Sequence, residues 1–356
     1  MRTTIFALLL LLSTAVSAQK YSNDIKKGIA IFDESMEYLR KKTNPVVTQY
    51  DTNHLLIGYI EMNDAFSMSR VFGDAIDIKV TNYYTGIFKF RLGFMFAANE
   101  DYDKALVWYQ RAETDLNKFT VKDAFPLEYW LGEDKYSIDG SYFNSILPIM
   151  YSDMVNCFNS LNSKDSVAEY ARRTLALTNL SNSQKFRMTV ILIQCFETKK
   201  QEDKELLNLY LSLWRAYKVL DTANQRKYPI TDAQLLERIK YLTDKVYATE
   251  DRGITPAMVA RTMFELNRNE EAEFFLKLAI QKQSNLSLPG FDDEFYYQVM
   301  LNSYQFKDKD IMRWATTRLI TSSFMNKNYS NDVLMVLRYL EAKEDIKLYK
   351  YNLKHH

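Results

Sequence analysis

The chain has 356 residues with 46 Lys+Arg against 45 Asp+Glu, a formal charge of +1, so no basic field exists to draw in nucleic acid or an anionic membrane surface. Only 9 Gly and 6 Pro occur, well below average usage, which disfavours turn-rich β folds, collagen and disordered linkers. With 47% apolar residues and 14% aromatics the chain can bury a large interior, and helix is the expected state.

In chain order, Arg2 precedes an unbroken apolar run from Ile5 to Leu12, then small residues through Ala18 and the polar Gln19-Lys20-Tyr21-Ser22. Residues 1–18 have the layout of a signal peptide cleaved after Ala18, and the run is less than half the roughly 20 residues needed to cross the hydrocarbon. The mature chain is therefore expected to be exported, periplasmic or secreted, without stable membrane insertion. A small-residue ending followed at once by Gln resembles the exported proteins of Bacteroidota. Residues 19–85 form an N-terminal helical segment. Its clearest pattern is Ile25, Ile29, Phe32, Met36 and Leu39, spaced 4, 3, 4 and 3, which predicts an amphipathic helix over Asp24–Lys42 ended by Asn44-Pro45.

Residues 86–118 read as a helical hairpin, two helically spaced apolar runs around the polar turn Asn99-Glu100-Asp101. Gly93 and Ala105 let the helices approach, Leu92, Phe96, Tyr102 and Tyr109 fill the space between them, and Ala112 leaves room for a further element on the far side. These seven residues resemble the tetratricopeptide repeat pattern over 34 residues without a gap, with Lys89 at the usual tryptophan position and Asn117 at the terminal proline position. A second copy runs from Gly253 to Ser284. Asn269 is its expected N-cap, Glu270 and Glu271 occupy the first turn, and Ala272, Leu276 and Ala279 repeat the offsets of Ala105, Tyr109 and Ala112.

The resemblance implies an all-α, right-handed α-α superhelix, or solenoid, of helical hairpins. Further hairpins fit the plan: Tyr142–Leu161 with Asp165–Leu177, Lys185–Thr198 with Asp203–Leu220, and Phe295–Tyr304 with Lys309–Ile320. An irregular aromatic-rich insertion is expected over 119–141. Divergent hairpins plus an extra helix carrying Leu235, Leu236, Ile239, Leu242 and Val246 fill 142–252, and repeat-like hairpins fill 253–325. A capping helix over Asp332–Leu340, with a mildly basic tail holding Lys347, Lys350 and Lys354, closes 326–356.

Little catalytic chemistry is on offer. Histidine is limited to His54, His355 and His356, and no nucleophile elbow, phosphate-binding loop, dinucleotide fingerprint or zinc-protease motif occurs. No enzyme activity, cofactor or metal is expected. Cys157 and Cys195, 38 residues apart, allow either a disulfide or two buried thiols. Asp292, Asp293 and Glu294 suit a helix N-terminus.

What remains is binding. In arrays that the chain resembles, first helices line a concave groove for a peptide or partner helix, and the matched anchor positions are Phe90 and Phe94 in one unit and Arg261 and Phe264 in the other. The expected partner is a protein or peptide, with self-association a further possibility. The alternative is a carbohydrate-binding or α/α carbohydrate-active protein using the insertion, where Tyr129, Trp130 and Tyr136 lie beside Glu128, Glu133, Asp134 and Asp139.

Overall fold

The computed structural model describes residues 2–42, 46–118, 126–131, 133–138, 140–199, 203–221, 223, 225, 230–249, 253–282, 291–322 and 327–355, with backbone alone for 2–21, 140–144, 198–199 and 282. Asn44, Pro45, residues 119–125 and Asp139 lie outside the described residues, as does His356. The chain divides into two compact units, residues 1–195 and 196–356.

The first unit holds helices α1 (Arg2–Lys41), α2 (Gln49–Phe72), α3 (Ala75–Ala98) and α4 (Tyr102–Leu116), strands β1 (Leu127–Leu131) and β2 (Asp134–Ile138), and helices α5 (Gly140–Ser160) and α6 (Lys164–Leu175). Helix α7 (Asn182–Lys199) crosses the boundary. The second unit continues with α8 (Asp203–Lys218), α9 (Asp232–Thr249), α10 (Ile254–Glu265), α11 (Asn269–Lys282), α12 (Asp293–Phe306), α13 (Lys309–Thr321), a short 3₁₀ turn (Lys327–Tyr329), α14 (Ser330–Tyr339) and α15 (Lys343–His355). Each unit is an all-α solenoid of stacked hairpins, apart from the one pair of strands among the described residues.

Local chemistry starts the helices where the sequence places polar caps. Thr48 and Asp51 form a capping box at α2, Asp74 and Asp77 one at α3, and Asp101, Asp292 and Asp308 cap α4, α12 and α13. Asn269 is instead the first residue of α11, and Arg268 before it donates to Glu271.

One turn recurs. Glu100, Asn162, Asn267, Lys307 and Glu341 follow α3, α5, α10, α12 and α14, and all five have φ between 56° and 62°. Behind each, the next amide reaches back to a carbonyl five residues earlier: Asp101 to Phe96, Ser163 to Phe158, Arg268 to Met263, Asp308 to Ser303 and Ala342 to Leu337, at 2.8–3.0 Å. This left-handed cap satisfies carbonyls that the helix end would otherwise leave bare. Five hairpins thus share one hinge geometry: α3–α4, α5–α6, α10–α11, α12–α13 and α14–α15. In the fifth, the turn at Glu341 separates the expected capping helix from a further helix, α15, that holds the basic tail and buries Tyr349.

Aromatic contacts tie the first unit together. Phe32 of α1 meets Tyr84 and Phe88 of α3 edge-on at 5.0 and 5.8 Å, while Tyr59 of α2 meets Phe88 and Trp108 of α4 at 5.8 and 5.1 Å. Each such edge-to-face pair contributes about 0.5–1.5 kcal/mol. Ala112 is fully buried, and Tyr109 beside it donates to Asp153 of α5 at 3.3 Å, so α5 is the element that covers the far side of α4. In the second unit α8 packs against α9, the extra helix read from Leu235, Ile239 and Leu242, all of which are buried.

The insertion is not irregular where it is described. β1 and β2 pair antiparallel, Leu127 opposite Ile138 and Tyr129 opposite Tyr136. Tyr129, Leu131 and Ile138 are buried while Glu128, Trp130, Lys135 and Ser137 are exposed, the period-two alternation of a strand laid on a core. The aromatic run conceals that alternation, because exposed Trp130 sits between buried Tyr129 and Leu131.

Candidate functional site

The predicted groove anchors separate once side chains are placed. Phe90 is 3% exposed, with its ring 6.1 Å from that of Tyr109, so it belongs to the interior of the α3–α4 hairpin and not to an open groove. Phe94, four residues on, has turned about 40° further round α3 and is 43% exposed. In the second unit Arg261 is exposed, pairs with Glu265 at 3.7 Å and lies over the Phe291 ring at 5.9 Å. Phe264 is half-buried against Phe295 at 6.4 Å. Glu265 also accepts from Arg215 of α8 at 2.7 Å, so this end of α10 is committed to contacts within its own unit.

The strand pleat likewise splits the three aromatics of the insertion. Tyr129 is 2% exposed, stacks on Tyr136 at 5.5 Å and shares a 3.3 Å hydrogen bond with the Tyr84 hydroxyl of α3, and burial pushes its phenol well above the ordinary value. Trp130 points the other way and is 65% exposed. The three aromatics therefore do not share one face. Two nearby carboxylates are engaged by lysines: Asp134 by Lys26 of α1 at 2.6 Å, which ties the hairpin to α1, and Glu128 by Lys135 across the strand pair at 2.8 Å.

Cys157 and Cys195 are both buried, and no disulfide joins them in this structure. Burial raises the Cys157 thiol to about 11 and the neighbouring Asp153 carboxyl to about 6. Asp51 shows the opposite environment. It accepts from Lys42, from Thr48 and, at 2.8 Å, from the Tyr38 hydroxyl, and these donors hold its carboxyl far below the usual range. Asp51 therefore ties the start of α2 to the end of α1. Among the described residues no group of His, Cys, Asp and Glu could hold a metal ion, and no helix is long and apolar enough to cross a membrane.

The surface that does present apolar side chains is the outer side of α2. Its inner side buries Leu55, Met62 and Phe66, while Tyr50, Ile57, Ile60, Met68, Val71 and Phe72 are exposed. Glu61 and Asp64 lie on the same exposed side. The sequence reading missed this face. The signal was present in the composition of α2, which is apolar on two opposite sides and so lacks a wholly polar face to turn to water.

No family model matches the sequence, and no curated protein matches it. Among solved structures, the apo form of RapI aligns with 97% of this chain and 84% of its own at 14% identity, with a TM-score of 0.27. The Rap conjugation gene regulator of the plasmid pLS20, in complex with the Phr* peptide, aligns with 95% of this chain and 96% of its own at 13% identity and a TM-score of 0.26. Superposition at that level carries no argument about family, ligand or activity.

Proposed function

We propose that the protein is an exported, non-enzymatic scaffold of tetratricopeptide-like hairpins that docks an amphipathic helix of a protein partner on the outer side of α2. The observation behind this reading is the exposed apolar row Tyr50, Ile57, Ile60, Met68 and Val71 with Glu61 and Asp64 set into it. A partner helix with an apolar stripe and a basic flank complements both features. A second copy fits less well, since antiparallel pairing about the midpoint of α2 would set each Glu61 beside its own copy. Export rests on the Arg2, Ile5–Leu12 and Ala18 leader pattern.

Two synthetic helical peptides with the same leucine stripe, one flanked by lysine and one by glutamate, test the docking face by fluorescence anisotropy. The lysine peptide is expected to bind at least about tenfold more tightly, and Ile57→Asp with Ile60→Asp to abolish that binding while leaving the helical circular dichroism intact. Equal binding of the two peptides, or binding that survives the double substitution, overturns the reading. Export is tested separately by N-terminal sequencing: a mature chain beginning at Gln19 supports it, and a chain retained in the cytoplasm with residues 1–18 attached refutes it.

A further inference from the structure

We propose that the cleft between α11 and α13 in the second unit is a binding site for a small organic anion presenting carboxylate or phosphate oxygens. It lies on the second helices of successive hairpins and does not depend on the α2 face. The cleft encloses about 520 Å³, within the usual range for small-molecule sites. Ile280 of α11 forms one side, and α13 supplies Asp310, Arg313, Trp314, Thr317 and Arg318 at helical spacing, so that they share one stripe.

Four other arginines of the unit are matched by carboxylates, whereas those of this stripe, like Arg338 of α14, are not matched among the described residues. Arg215 and Arg261 are paired with Glu265, Arg238 with Glu197 and Arg268 with Glu271. Arg313 and Arg318 have no ion pair among the described residues, although both line the same cleft. Asp310 is the one acidic residue in the lining, against two guanidinium groups. Lys277 of α11 faces two carboxylates, Asp308 at 2.8 Å and Glu273 at 3.8 Å, and burial raises the Glu273 carboxyl to about 7.

Two donors in this lining lack acceptors. The Trp314 side chain is part of a residue only 7% exposed, and its indole Nε1 has no hydrogen-bond partner. The Nε of half-buried Arg318 has none either. Buried donors in folded proteins are nearly always paired, and leaving one bare costs stability. The Thr317 hydroxyl is spent on the Arg313 carbonyl and that of Thr321 on the Thr317 carbonyl, so neither can act as the donor to an incoming ligand. Both of these N–H atoms are shielded from solvent, so an oxyanion in the cleft would be held by the planar fork of an arginine, while Ile280 and the Trp314 ring border its organic body.

Isothermal titration of the full chain with inorganic phosphate and with succinate tests the site. Saturable binding of at least one is expected, and which one binds identifies the anion class. Arg313→Gln, at an exposed position, should weaken that binding about tenfold, and Arg313→Gln with Arg318→Gln should abolish it. Should the half-buried Arg318 variant fail to fold, Arg313→Gln still decides the matter. Absence of saturable binding up to about 50 mM of either anion, or wild-type affinity in the folded variants, overturns the proposal. The Ile57→Asp/Ile60→Asp chain should keep full anion binding, so this site and the α2 face can fail independently.

Discussion

The α3–α4 and α10–α11 hairpins fill the same gap with different pairs of side chains. In the first, Gly93 lies against the Tyr109 ring so closely that an added Cβ would stand 2.6 Å from its Cδ1. In the second, Ala260 takes the glycine's offset and Leu276 the tyrosine's, and both are fully buried. Nothing beside a ring and a methyl beside a branched chain are two divisions of one volume. The tyrosine adds a requirement that leucine lacks, since its hydroxyl must find a partner and does so at Asp153. The glycines that open the two repeat units differ as well: Gly86 faces the Leu116 side chain, whereas Gly253 faces the Ala279 backbone.

The largest expected effect separates those two opening glycines. A Cβ at Gly253 would stand 2.6 Å from the Ala279 Cα, and backbone cannot rotate away, so Gly253→Ala should destabilise the chain by roughly 3 kcal/mol. Gly86→Ala meets the movable end of Leu116 at 2.8 Å and should lose about 1 kcal/mol or less. Denaturant melts giving equal losses would erase the distinction between side-chain and backbone contact.

A smaller effect tests the shared volume directly. Gly93→Ala alone should lose about 2 kcal/mol, and adding Tyr109→Leu, which copies the second hairpin's pair, should recover at least half of it. Simple addition of the two losses in a double-mutant cycle would show that the hairpins do not obey one packing rule.

The smallest effect concerns the hinge that the hairpins share. Lys307 holds φ at 59°, where an L side chain is strained, so Lys307→Gly should stabilise by about 0.5–1 kcal/mol. Asn267→Gly, at φ 57° in the α10–α11 hairpin, should gain only a few tenths, because asparagine tolerates this region better. An equal gain at both positions would remove the reason for treating asparagine as the better-adapted cap.

Much of the fold was legible because its signals are local. The spacing of Ile25, Ile29 and Phe32, the acids at 292–294, and the small residues Gly93, Ala105 and Ala112 all report on their own helix. The recurring turn was hidden because glycine, the usual marker of a left-handed cap, is absent from all five positions. The strands were hidden by a run of aromatics that mixes inward and outward side chains. The predicted groove was only half legible. Phe90 and Phe94 look alike in sequence, yet one is packed on Tyr109 and the other meets water.

By itself the amino-acid order determined that this chain is helical, where several helices take their polar caps, and which positions of the first hairpin stay small, since backbone hydrogen bonding and side-chain volume act over a few residues. Tertiary structure decided which apolar faces are covered, leaving the outer side of α2 bare, burying both thiols and setting Ile280 across from the Arg313 and Arg318 stripe. Those outcomes depend on elements tens of residues apart in the chain, and whether a side chain is buried is a property of the neighbour that covers it.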